Sequence, residues 1–231
     1  MLNERKKLIL ETIIQENIKS GQPVSSVLLV DKYALNCSSA TVRNEMSVLE
    51  EEGWIYQPHT SAGRLPTEEA WRWFIANTKT AELSQELLNK LAEALTGKKE
   101  EDFKRTAKLV AAEANVAIFW AFHRRSLYYT GISNLLSQPE LSQPGLVCKF
   151  SVIIDRLDEI IADKFDSWPT EPAVLLGENC PFGPLLGAVT AKYFTGGQRG
   201  LFGIIGPLRQ DYAINLAIIN NLYQYLNYEK K

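Results

Sequence analysis

A chain of 231 residues can bury one large or two modest cores, and 45% apolar with 23% charged residues is an ordinary globular composition. Its net charge of −2 supplies no global field toward nucleic acid, and the first eighty residues hold nine Lys and Arg against ten Asp and Glu. Any nucleic-acid binding must therefore rest on a local arrangement of cations.

The N-terminus is charged at Glu4, Arg5, Lys6 and Lys7, unlike a signal peptide, and the longest apolar run, residues 116–122, is too short to span a bilayer. A soluble cytoplasmic protein with no membrane contact is expected. The spacing predicts a first helix over residues 3–19, with Leu8, Ile9, Thr12, Ile13 and Ile18 as its stripe. Gly21-Gln22-Pro23 breaks it. Ser25 then caps a second helix through Tyr33 that buries Leu28 and Leu29, and Leu35-Asn36-Cys37 makes a tight turn.

A third helix starts at Ser38, whose hydroxyl suits an N-cap, and places Val42, Met46 and Leu49 on a buried stripe. Its other face carries Ser39, Ala40, Arg43, Asn44 and Ser47, short or hydrogen-bonding side chains around one arginine. Such a face fits a major groove. Gly53 closes the helix. Trp54-Ile55-Tyr56 reads as a strand, His59-Thr60-Ser61-Ala62-Gly63-Arg64 as a polar turn with a basic tip, and Leu65 as the return strand before Pro66. Three helices, a hairpin and a basic turn outline a winged helix-turn-helix. From periodicity alone, a helical bundle with a solvated polar face fits as well.

Thr67 caps a further, aromatic-rich helix with Trp71, Trp73, Phe74 and Ile75, expected to pack the hairpin onto the first helix. Residues 79–114 read as a charged helical linker or arm, interrupted at Gly97-Lys98-Lys99-Glu100-Glu101. From Asn115 the pattern turns to strands: residues 116–122, 127–132, 173–176, 186–194 and 200–205. Helices are expected over residues 152–165 and 211–228. Antiparallel strands flanked by helices indicate an α+β domain over residues 115–231.

The second half offers little chemistry. Gly200, Gly203 and Gly206 are spaced like a nucleotide loop but sit inside a strand pattern and lack the fingerprint spacing, and Asp211 reads as a helix cap. Asp155, Asp158 and Glu178 have no His or Cys partner in a catalytic motif, and His123 at a strand end is a surface histidine. The cysteines Cys37, Cys148 and Cys180 are far apart, and with two histidines they form no cluster at zinc spacing. Buried, reduced thiols are expected, with no metal, no cofactor and no enzyme activity.

Ser38-Ser39-Ala40-Thr41-Val42-Arg43-Asn44-Glu45-Met46, followed by Gln57-Pro58-His59-Thr60-Ser61-Ala62-Gly63-Arg64-Leu65-Pro66-Thr67, resembles the heat-inducible transcription repressor family, HrcA. Gly21-Gln22-Pro23-Val24-Ser25-Ser26, Gly131-Ile132-Ser133-Asn134-Leu135-Leu136-Ser137-Gln138-Pro139-Glu140, Gly177-Glu178-Asn179 and Gly206-Pro207-Leu208-Arg209-Gln210-Asp211-Tyr212 extend the resemblance to both ends of the chain. It implies a dimeric winged-helix repressor on an inverted repeat, the CIRCE operator, upstream of chaperone operons. It also implies a GAF-like second domain, an inserted dimerisation domain, and activity maintained by the chaperonin GroEL. Between Ala121 and Tyr128 this chain passes almost directly into the Gly131 motif, so most of the insert and part of the GAF-like domain are missing. Gln210 also stands where the family usually has methionine.

The expectation is thus an α+β chain with a winged helix-turn-helix domain at residues 1–78, a helical arm at 79–114, and a reduced GAF-like domain at 115–231 that dimerises or regulates. It would bind double-stranded DNA as a homodimer. Arg43 and Asn44 would reach base edges, since arginine suits guanine and asparagine adenine. Ser38, Ser39, Ala40, Thr41 and Ser47 complete the helix contacts, with Ser39, Thr41 and Ser47 mostly on phosphate. His59, Thr60, Ser61 and Arg64 form the contacts of the turn. Two rivals remain: a regulator that senses a small molecule in the GAF-like domain, and an interaction module that has lost DNA binding.

Overall fold

A computed structural model of the chain describes residues 2–33, 37–139 and 144–228. It is a mixed α+β structure forming two compact units, Met1–Thr78 and Lys79–Lys231.

In the first unit, α1 (Glu4–Ser20) begins where the Asn3 side chain accepts the Lys6 amide, and ends at Gly21 in the left-handed region. Ile9, Leu10, Ile13 and Ile14 are buried, whereas Leu8, expected in the stripe, is half exposed. Helix α2 (Ser26–Tyr33) is capped by Ser25, which accepts the Leu28 amide at 3.2 Å. It turns Ser26 and Leu29 inward and leaves Leu28 outside, because eight residues give only one narrow buried face. Of the expected Leu35-Asn36-Cys37 turn, only Cys37 lies within the described residues.

Helix α3 (Ser39–Glu51) starts as its sequence dictates: Ser38 Oγ accepts the Thr41 amide at 3.1 Å. Val42, Met46 and Leu49 are buried. Gly53, at φ +81°, lets the chain leave the helix, and β1 (Ile55–Tyr56) pairs antiparallel with β2 (Leu65–Pro66). Thr67 caps α4 (Glu68–Asn77) through the Ala70 amide, and its hydroxyl also lies 2.8 Å from the Gly53 carbonyl.

The second unit is built on a five-stranded antiparallel sheet in the order β4-β3-β7-β6-β5, from β3 (Ala117–His123), β4 (Ser126–Thr130), β5 (Ala173–Leu176), β6 (Leu186–Thr195) and β7 (Gln198–Pro207). Helices α5 (Gln85–Ala94) and α6 (Glu100–Ala114) precede it, and α10 (Tyr212–Asn227) follows it, capped by Asp211. One face of the sheet carries Phe119, Ala121, Ala188 and Leu201 under Phe150, Leu157 and Ile161. Alternate residues reach the other face, where Trp120 and Tyr193 meet Phe103 of α6 and Phe202 stacks on Trp120.

Three further local expectations differ from the structure. The strand expected over residues 127–132 ends at Thr130, since Gly131 at φ +78° turns the chain into α7 (Ile132–Leu136). The helix expected over residues 152–165 is two helices, α8 (Pro144–Asp155) and α9 (Leu157–Lys164), separated at Arg156, whose backbone leaves the helical region. Of the cysteines, Cys180 is buried, Cys37 half-buried and Cys148 exposed on α8, so only one is a core thiol.

Candidate nucleic-acid interface

The side chains that could read a duplex lie on α3 and on the turn between β1 and β2. With Val42, Met46 and Leu49 turned inward, helical spacing leaves Ala40, Arg43, Asn44 and Ser47 exposed on the opposite side, with Ser39 and Thr41 at its edges. No side-chain hydrogen bond or ion pair holds Arg43 among the described residues. The hydroxyls of Ser38 and Thr41 lie 3.0 Å apart at the helix start, and Ser47 Oγ donates to the Arg43 carbonyl at 3.1 Å. These hydroxyls are thus engaged with their own helix, while Arg43 and Asn44 project outward.

The turn is fastened at several points. Val24 and Arg64 exchange both backbone hydrogen bonds, at 2.9 and 2.8 Å, joining the turn to the segment before α2. Gly63 makes this approach possible: a Cβ there would lie 2.5 Å from the Val24 carbonyl. Within the turn, the Ala62 amide donates to the His59 carbonyl, the Gln57 side chain donates to the Ala62 carbonyl, and Ser61 occupies the left-handed region at φ +66°. His59, Thr60 and Ser61 are exposed.

Arg64 departs from the expectation of a free cationic tip. Its guanidinium donates to Glu50 Oε2 through Nε at 2.9 Å and Nη2 at 2.8 Å, and to the Ala62 carbonyl through Nη1 at 3.4 Å. Its side chain is only 19% exposed. The other oxygen of Glu50 accepts the Gln57 amide at 3.1 Å. Glu50 therefore ties the end of α3 to both ends of the turn, a role no local sequence signal announces, because it sits in the run Glu50-Glu51-Glu52 that reads as a solvated helix end. Between α3 and the turn lies a cleft of about 300 Å3 lined by Ser25, Ser26, Arg43, Gln57, Ser61 and Arg64.

The second unit holds a cleft of about 610 Å3, floored by Ala121, Leu127 and Ile161 and rimmed by Arg125, Asp155 and Asp158. Two neighbouring arginines are committed to ion pairs, Arg124 with Asp166 and Arg156 with Glu159. Among the described residues, no group of three or more His, Cys, Asp or Glu is placed to hold a metal ion, and no helix is long and apolar enough to cross a membrane.

Fold and interface together define a mixed α+β protein whose first unit presents an arginine–asparagine helix face beside a fastened turn. Residues 71–214 match the HrcA protein C terminal domain, and the chain belongs to the HrcA family. The heat-inducible transcription repressor HrcA of Roseiflexus sp. (strain RS-1) is 57% identical over 76 residues, which are 33% of this chain and 21% of that protein. The protein of the same name from Cutibacterium acnes is 42% identical over 114 residues, 48% of this chain and 34% of that one. The chain thus matches about a fifth to a third of the length of these curated relatives. A hypothetical protein of known crystal structure superposes with a TM-score of 0.75 at 18% identity over 98% of both chains, which shows the fold.

Proposed function

We propose that this chain is a DNA-binding transcriptional repressor and that it governs heat-shock chaperone operons; its relatives are named heat-inducible transcription repressors. In this reading residues 1–78 are a winged helix-turn-helix domain, residues 79–114 a helical arm and residues 115–231 a reduced GAF-like domain. A homodimer places one α3 in each half of an inverted repeat of the CIRCE type, since two-fold symmetry in the protein answers two-fold symmetry in the site. The chaperonin GroEL enters as a proposed partner through the family resemblance, and the chain has no catalytic role. One observation carries the reading: Arg43 and Asn44 stand exposed on the face of α3 flanked by the turn, with no side-chain hydrogen bond or ion pair among the described residues.

The contacts divide by chemistry. Arg43 and Asn44 reach base edges; Ser38, Ser39, Ala40, Thr41 and Ser47 line the helix against the backbone; His59, Thr60, Ser61 and Arg64 approach phosphate from the turn. The test is binding of the purified chain to a duplex bearing the inverted repeat, a single half-site or a scrambled sequence, across a salt series. Selective binding that needs both half-sites is expected. Equal, weak binding to all three would remove the reading.

The 610 Å3 cleft in the second unit supports a second reading, a regulator responsive to a small molecule. A saturable hit in a thermal-shift screen that also changes duplex affinity would favour it.

A further inference from the structure

We propose that Glu50 is a positioning residue for DNA recognition, an acidic side chain that sets the turn against α3 although it carries the wrong charge to touch DNA. The inference deepens the repressor reading and rests on it. Glu50 is the last-turn residue of α3 directly after the buried Leu49, so the helix fixes where its carboxylate lies. Its two oxygens serve two ends of one loop: Oε1 takes the Gln57 amide as the chain leaves β1, and Oε2 takes the Arg64 guanidinium just before β2. A carboxylate accepting from a backbone amide and from arginine makes charge-assisted bonds, roughly twice as strong as neutral ones. The loop between, residues 58–63, is otherwise held by the Val24–Arg64 bridge and its own turn bonds. Exposed ion pairs contribute little, but the Arg64 side chain is 19% exposed and that of Glu50 32%, which shields this pair from solvent screening.

The consequence is a division of labour. Arg64 reaches phosphate from a place that Glu50 chooses, and His59, Thr60 and Ser61 follow because they hang from the same loop. Electrostatics alone makes the opposite forecast: deleting a negative charge beside a DNA-binding face should tighten binding to every duplex and steepen the salt dependence. The sign of the effect separates the two.

The experiment compares the full chain with Glu50→Ala, Glu50→Gln and, as a charge control, Glu51→Gln, on the inverted-repeat duplex across a salt series. Glu50→Ala is expected to weaken binding about tenfold, the scale of one lost charge-assisted contact. Glu50→Gln, which keeps an acceptor and the shape, should lose less, while Glu51→Gln binds as tightly as the unaltered chain or more tightly. Glu50→Ala binding as well as Glu51→Gln would overturn the inference. If the unaltered chain binds no duplex, the repressor reading fails and the loop still reports on Glu50 through amide exchange and heteronuclear NOE. Faster exchange at Gln57 and greater motion at residues 59–62 in Glu50→Ala, with Ile55 unchanged, supports the positioning role. A loop as ordered as before refutes it.

Discussion

The ring of Phe103 on α6 lies flat against the indole of Trp120 on β3, with centroids 4.8 Å apart and planes 9° apart. Phe122 and Tyr193 also meet Phe103, at 6.1 and 5.2 Å, so one side chain joins a helix to two strands. Truncating it removes a large buried area and leaves a cavity between layers that cannot close. Phe103→Ala is therefore expected to cost about 3–5 kcal/mol in the second unit. Urea unfolding followed through that unit's tryptophan fluorescence measures it, and a loss below about 1 kcal/mol would show that α6 is not part of the cooperative core.

A buried carboxylate joins α1 to α2. Glu16 is 4% exposed and accepts from Lys32 Nζ at 2.7 Å and from the Tyr33 hydroxyl at 2.7 Å. The Lys32 hydrogen bond, more than the Tyr33 bond, holds the Glu16 carboxyl below its usual range against the opposing effect of burial. Burial first, and the Glu16 bond second, push the Tyr33 phenol up to about 12. Because the folded carboxyl ionises more readily than the unfolded one, its contribution is present above the unfolded value of 4.5 and is lost as pH falls through the folded value. The phenol works in the other direction, contributing below its unfolded value of 10.0 and losing that contribution as pH rises toward 12. Glu16→Gln should flatten the acid limb of the first unit's stability profile. An unchanged limb, measured by thermal unfolding from pH 3 to 7, would assign acid sensitivity elsewhere.

What the sequence displayed were features whose cause is local. Caps at Ser38, Thr67 and Asp211 each need one oxygen three residues before an amide, and all three form as expected. The exposure of Arg43 and Asn44 follows from helical spacing once Val42, Met46 and Leu49 face inward. The pairing of Arg64 with Glu50 spans fourteen residues and depends on how a loop folds back, which no window of sequence contains. The burial of Phe103 has the same character. Residues 79–114 look charged along the chain, yet Phe103 is 2% exposed because β3 supplies a surface that only the folded sheet creates. Leu28 shows the reverse, an apolar residue in a helix too short to bury two faces.

Gly63 and Gly53 are both in the first unit but resist substitution for different reasons. A Cβ at Gly63 would meet backbone, 2.5 Å from both the carbon and oxygen of Val24 and 2.7 Å from Pro23, and backbone cannot rotate away. At Gly53 a Cβ meets nothing within 4 Å, and only its φ of +81° opposes a side chain. Gly53→Ala should cost about 1–2 kcal/mol, the strain of a left-handed residue. Gly63→Ala should cost more than this and, by parting Val24 from Arg64, weaken duplex binding too. A Gly63→Ala chain as stable as Gly53→Ala would mean that the segment before α2 moves freely away from the turn.

Arg43 and Arg64 should fail in distinguishable ways. Arg43 has no partner to lose among the described residues, so Arg43→Ala leaves thermal stability close to its starting value. On the inverted repeat it should cost about 1–3 kcal/mol and relax base preference at one position of each half-site, as expected for a bidentate base contact. Arg64→Ala strips Glu50 of its guanidinium partner and lowers stability measurably. It should also weaken binding to all duplexes alike and reduce the salt slope by about one. Measuring both variants on repeat and scrambled duplexes across a salt series separates the roles. If Arg43→Ala loses equally on both sequences, its contact is with phosphate and base reading must lie with Asn44 or the turn.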